Sequence, residues 1–133
     1  MKSKTKLHYK ELIKLSKARL LESKVLFKNG FYHGSIYLGG YSIELALKAV
    51  IVKNLNKEMY FEPDVGKKIY DHDFNNLFSY LTPKNQIPTT TLNILKMHNV
   101  NMRYQNDKGK KEATDFHKEI KVFFKWIKVE YKI

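Results

Sequence analysis

The stretch YSIELALKAVIVK, Tyr41 to Lys53, is among the most apolar runs of the chain, yet it holds Glu44 and Lys48 four residues apart. Read as a helix, it puts the two only about 40° apart around the axis, at ~100° per residue. The other positions are nearly all apolar or small, so most of the helix surface is expected to be buried. An exposed pair at this spacing stabilises a helix by only about 0.2–0.5 kcal/mol. A buried charge left unpaired costs far more than that. Both charges therefore need partners elsewhere in the chain.

Working outward, the same helix is expected from about Phe31 to Asn54. Ser35, Gly39, Ser42, Ala46 and Ala49 recur in steps of four and three and make one stripe of small residues. Each glycine in a helix costs about 1 kcal/mol against alanine, so the stripe implies a closely packed neighbour, in this chain or in a second copy. Upstream, Tyr9 to Lys28 reads as a first helix, with Leu12, Ile13, Leu15, Leu20, Val25 and Phe27 as its apolar positions. Asn29-Gly30 is its stop signal.

Downstream, Asn56 to Asp71 is a long connection containing Pro63 and Gly66. A short helix then starts at Asp71 or His72, with Phe74, Leu77, Phe78 and Leu81 as its buried face. A loop from Thr82 to Pro88 leads to a fourth helix, from Thr89 or Thr90 to about His98, buried through Leu92, Leu95 and Met97. NVNMRYQNDKGKK reads as a polar break. The last helix runs from about Glu112 to Tyr131, with Ala113, Phe116, Ile120, Phe123 and Ile127 as a bundle seam. No segment alternates as a strand does. The expected fold is all-α: an up-and-down four-helix bundle with an additional short helix, one domain over 1–133 with a core of about 9–130.

The chain has 133 residues and no cysteine, which excludes disulfides and thiolate metal sites. No signal peptide is visible, and the longest apolar run, Ala49 to Val52, is flanked by lysines, so a cytoplasmic protein without a membrane span is expected. The net charge is +12, and all the basic residues except Arg19 and Arg103 are lysine. Lysine suits phosphate neutralisation better than readout of base edges. Lys6, Lys10, Lys14, Lys17, Lys24 and Lys28 share a stripe of the first helix. Lys118, Lys121, Lys125, Lys128 and Lys132 share one on the last, and neither stripe contains an acid. Lys10, Lys14, Lys17, Lys24, Lys118, Lys121, Lys125 and Lys128 are thus candidate nucleic-acid contacts. The competing reading is a solvated face, since lysines collect wherever the core is not.

Chemistry is sparse. The glycines have no phosphate-loop spacing, and the five histidines form no metal pattern, so no cofactor or metal is expected. Asp71-His72-Asp73 reads more simply as a helix N-terminus than as a ligand cluster.

Lys28-Asn29-Gly30, Phe31-Tyr32-His33-Gly34-Ser35, YSIELALKAVIV, HDFNNLFSYL from His72 and Arg103-Tyr104 before an amphipathic helix together resemble the HEPN domain. That is the "higher eukaryotes and prokaryotes nucleotide-binding" family, and the likeness covers about residues 9–130. It implies a helical bundle, commonly dimeric, among RNase toxins and partners of minimal nucleotidyltransferases. Many nuclease members carry Arg, four to six residues, then His. Here Lys108, Gly109 and Lys110 stand where the histidine would follow Arg103, and Lys24, Val25 and Leu26 where it would follow Arg19. The resemblance therefore implies a non-catalytic module, its expected partners being a second copy, RNA, DNA, a nucleotide or a separately encoded nucleotidyltransferase. Glu44, Lys48, His72, Arg103 and Tyr104 would form its polar site. The alternatives are a divergent RNase toxin of a toxin–antitoxin or phage-defence system, using Arg103 with His98 or His72, and a plain interaction scaffold.

Overall fold

The structure is a computed structural model and describes residues 8–54 and 72–133. The expected connection from Asn56 to Asp71, together with Lys6, lies outside the described residues. The chain forms α1 (Tyr9–Lys28), α2 (Tyr32–Asn54), α3 (Phe74–Ser79), α4 (Thr89–Leu95), a 3-10 turn (Val100–Tyr104) and α5 (Lys110–Tyr131). No strand is present among the described residues, and the all-α bundle expectation holds.

α1 ends as its sequence predicts. Gly30 adopts the left-handed conformation, φ 83°. The amides of Gly30 and Phe31 close back onto the carbonyls of Phe27 and Leu26, at 3.1 and 2.9 Å. That bonding pattern reverses the chain within two residues and starts α2 antiparallel to α1.

α2 is the central helix, buried on most sides. Its small-residue stripe serves this chain's own helices. A Cβ on Gly39 would lie 3.0 Å from both the Phe116 ring and the Ser23 hydroxyl, so α1 and α5 close on it. Two serines of α1 hydrogen-bond to α2 carbonyls: Ser16 Oγ donates to Ser42 O at 2.6 Å, and Ser23 Oγ to Ser35 O. The hydroxyls of Ser35 and Ser42 in turn donate to Tyr32 O and Gly39 O within α2. Every hydroxyl at this close interface is thereby satisfied, as burial requires.

α5 buries Ala113, Phe116, Ile120, Phe123 and Ile127 against α2, α3 and α4, the expected seam. The loop before α4 is pinned to it. Trp126 Nε1 donates to Asn85 O at 2.7 Å, and the Glu130 carboxylate accepts from Asn85 N and Nδ2.

Several expectations are corrected. Leu15 and Val25 are exposed, because α1 is an edge helix that packs through a narrow strip around Leu12, Ser16 and Ser23. α4 stops at Leu95 rather than near His98, and α5 begins two residues early, at Lys110. The polar break contains the 3-10 turn, whose Met102 is buried. α3 starts at Phe74, where Asp73 caps it by accepting from Asn76 N at 3.2 Å. α2 is long and apolar enough to cross a membrane, but 78% of that window is buried inside the bundle, which accounts for its hydropathy.

Candidate functional site

Gly40, Glu44 and Lys48 follow one another at four-residue steps and so share one face of α2. Glu44 and Lys48 are 3% and 6% exposed, so neither is surface decoration. Glu44 Oε2 accepts from Lys48 Nζ at 2.8 Å and from His72 Nδ1 at 2.9 Å. His72 itself is half exposed, just ahead of the Asp73 cap of α3. Glu44 Oε1 is buried and has no hydrogen-bond partner. The carboxylate is thus held by one buried cation and by one imidazole that reaches solvent.

One turn earlier, Gly40 receives His98. A Cβ there would come within 1.9 Å of the imidazole carbons, so the ring lies directly against the α2 backbone. The ring stacks on Phe74 at 5.4 Å and meets Tyr41 edge-on at 5.6 Å, with Tyr37 at 6.0 Å. Neither ring nitrogen has a well-formed hydrogen bond; the Tyr37 backbone is only a weak neighbour. Burial pushes His98 down to about 4, against the opposing pull of Glu44 and Tyr37. The ring is therefore neutral at ordinary pH. Tyr41 is pushed up to about 12, first by its hydrogen bond with Tyr37 and then by burial.

Outside this pair of clusters lies an open cleft of about 500 Å³, lined by His72, Asn75, Lys96, His98, Asn99 and Val100 among others. The 3-10 turn that supplies Val100 also carries Arg103 and Tyr104. Both are exposed, and the guanidinium stacks over the Tyr104 ring at 5.0 Å. Of the three partners expected for Glu44 and Lys48, then, His72 makes the contact, while Arg103 and Tyr104 pair with each other. Arg103 still acts on the buried cluster through its charge, which favours ionisation of Tyr41.

His33 fixes the turn. Its Nδ1 accepts from Lys108 N at 3.3 Å, which makes Nε2 the protonated nitrogen donating to Met102 O at 2.8 Å. The sequence reading gave no role to His33, Lys96 or Gly40. For Gly40 a signal existed: a third glycine inside the helix, off the small-residue stripe.

The eight candidate lysines are all exposed. They lie on α1 and α5, away from the cleft. Among the described residues no cluster of three or more His, Cys, Asp or Glu is placed to hold a metal ion.

The HEPN domain model matches residues 9–130, nearly the whole chain. No curated protein and no solved structure matches. The chain belongs to the HEPN domain family, whose functions are related to nucleotides and RNA.

Proposed function

We propose that this HEPN-family chain is a non-catalytic module that binds a nucleotide or a short single strand of RNA at the cleft between α3 and the 3-10 turn. The observation that carries this is Tyr104, 77% exposed on the 3-10 turn that supplies Val100 to the cleft, with Arg103 stacked on its ring. An exposed aromatic face next to a cation is what an unstacked base and its phosphate need. Lys96 adds a second cation, and the Asn75 and Asn99 amides offer donors and acceptors to base edges. The buried Glu44 holds His72 at the rim.

Three features speak against cleavage. No histidine follows Arg103 at the spacing of the family's nucleases. His98 is neutral, with buried nitrogens that reach no substrate proton. Arg103 stacks on Tyr104 instead of pairing with His72.

The test is fluorescence anisotropy with labelled oligouridylate at low salt, with the RNA run on a gel afterwards. Binding should weaken about tenfold or more in Tyr104→Ala, the loss of one base–aromatic stack. The RNA should stay intact. Absence of binding refutes the module; cleavage that Arg103→Ala abolishes makes the chain an RNase.

A further inference from the structure

α1 and α5 both pack on α2, but between them they leave a groove. Two cavities lie along it. One, of about 350 Å³, is lined by Lys24, Phe27, His117, Ile120 and Lys121. The other, of about 250 Å³, has Ile13, Leu20, Phe124 and Ile127 on its walls, Ala46 of α2 among its lining, and Lys17 and Lys128 beside them.

The spacing along both walls is that of a heptad. Ile13, Leu20 and Phe27 step by seven on α1; His117 and Phe124 do so on α5. The rim repeats the pattern, with Lys17 and Lys24 on one side and Lys121 and Lys128 on the other. Seven helical residues span about 10.5 Å, so each wall carries two cations two turns apart. Three of the six acids of these helices are engaged elsewhere: Glu22 with Arg19, Glu119 with Thr91, Glu130 with Asn85. Among the described residues no acid forms an ion pair with Lys17, Lys24, Lys121 or Lys128, so the basic rim is unneutralised. At the upper cavity, Lys24 and Lys121 stand close enough to His117 to help burial lower its pKa.

We propose that this groove receives an acidic amphipathic helix of a partner protein. Its apolar seam fills the two cavities, and acids seven residues apart on its flanks meet the four lysines. This is helix-in-groove recognition with partner choice set by flanking charge. The lining favours a helix over a nucleic acid. Its floor is aliphatic, Phe27 and Phe124 are packed into the core, and the Ser16 hydroxyl is already bonded to Ser42 O. A base would find one imidazole on the lining, His117, already against the Phe27 ring at 4.8 Å and with Nε2 3.4 Å from the Ser23 hydroxyl. A second copy of this chain would bring its own lysine rows against these, and like charges repel.

The probe is a synthetic helix of about three heptads, with leucine in the seam, glutamate on both flanks and a fluorescein label. A control peptide carries lysine on the flanks. The acidic peptide should bind at least about tenfold tighter than the control, with amide shift changes at Leu20, Phe27, His117 and Phe124. In the quadruple variant Lys17→Glu, Lys24→Glu, Lys121→Glu, Lys128→Glu, at four exposed positions, the preference should invert, with the helical circular dichroism unchanged. Tyr104→Ala should leave peptide binding intact, which separates this groove from the cleft at α3. No binding of the acidic peptide, seating outside these residues, or its displacement by oligouridylate from the same residues would overturn the proposal.

Discussion

The contact between Gly40 and His98 makes the sharpest demand on the sequence, and Gly40→Ala tests it. The added Cβ would stand 1.9 Å from Cγ and Cδ2 of the imidazole and 2.5 Å from Nδ1. Ordinary contact begins near 3.4 Å, so the ring must retreat by roughly 1.5 Å. It has little room to do so. Phe74 stacks on it, Tyr41 and Tyr37 bracket it, and its backbone amide is bonded to Leu95 O. Overpacking of this kind costs about 1–3 kcal/mol, and the stiffness of an aromatic box puts the cost at the upper end. Alanine's helix preference returns about 1 kcal/mol, leaving a net destabilisation of about 1–2 kcal/mol. Gly34→Ala is the matched control, because its Cβ meets only Leu26 Cδ1 at 3.4 Å. With the steric term absent, that variant should gain up to about 1 kcal/mol. Two chemically identical substitutions in one helix should therefore differ by about 2–3 kcal/mol in urea denaturation. On a His98→Ala background the penalty at Gly40 should vanish. If Gly40→Ala is as stable as Gly34→Ala, His98 does not sit against α2 and the aromatic box is wrong.

Glu44→Gln should cost about 3–5 kcal/mol, because it leaves the Lys48 ammonium in the core without a counter-charge and weakens the bond that His72 donates. Adding Lys48→Met should recover most of that loss in urea denaturation, whereas a single variant within about 1 kcal/mol of the parent would mean that Lys48 reaches water. His98 makes stability depend on pH in a defined direction. Its folded value, about 4, lies below the ordinary 6.5 that it regains on unfolding, so the unfolded chain takes up the proton first as pH falls. Its contribution is complete above about pH 6.5 and is lost between there and about pH 4, by roughly 1.4 kcal/mol per unit and about 3 kcal/mol in all. Urea midpoints at about pH 7 and pH 5 should differ in the parent by more than in His98→Gln; equal differences would show that the imidazole is not buried neutral.

The long helices were legible because their periodicity persists over five or six turns, and because Asn29-Gly30 spells out its own left-handed stop. The α1–α2 contact was not, because serines make much of it. A hydrophobicity pattern assigns Leu15 and Val25 to the core and overlooks Ser16 and Ser23. The close approach comes from hydroxyl-to-carbonyl bonds, for which the sequence offers only small residues at seven-residue spacing. The turn at Val100 was hidden for a related reason. One side chain, Met102, is buried there, and the turn is held by a histidine sixty-nine positions earlier. Pairings of that kind have no local signature.

α2 resolves the tension in its own sequence by dividing its circumference. Ser35, Gly39, Ser42, Ala46 and Ala49 let α1 and α5 approach, while Gly40, Glu44 and Lys48 face the cleft side, where His98 and His72 meet them. Stability alone gives no reason to keep charges on that face, since a buried ion pair is often matched or bettered by apolar residues of the same volume. What an apolar pair could not do is hold His72. The carboxylate anchors a half-exposed imidazole at the mouth of the cleft, and the ammonium makes that carboxylate tolerable in the core. On this reasoning Lys48 is present for Glu44, Glu44 for His72, and His72 for whatever enters the cleft.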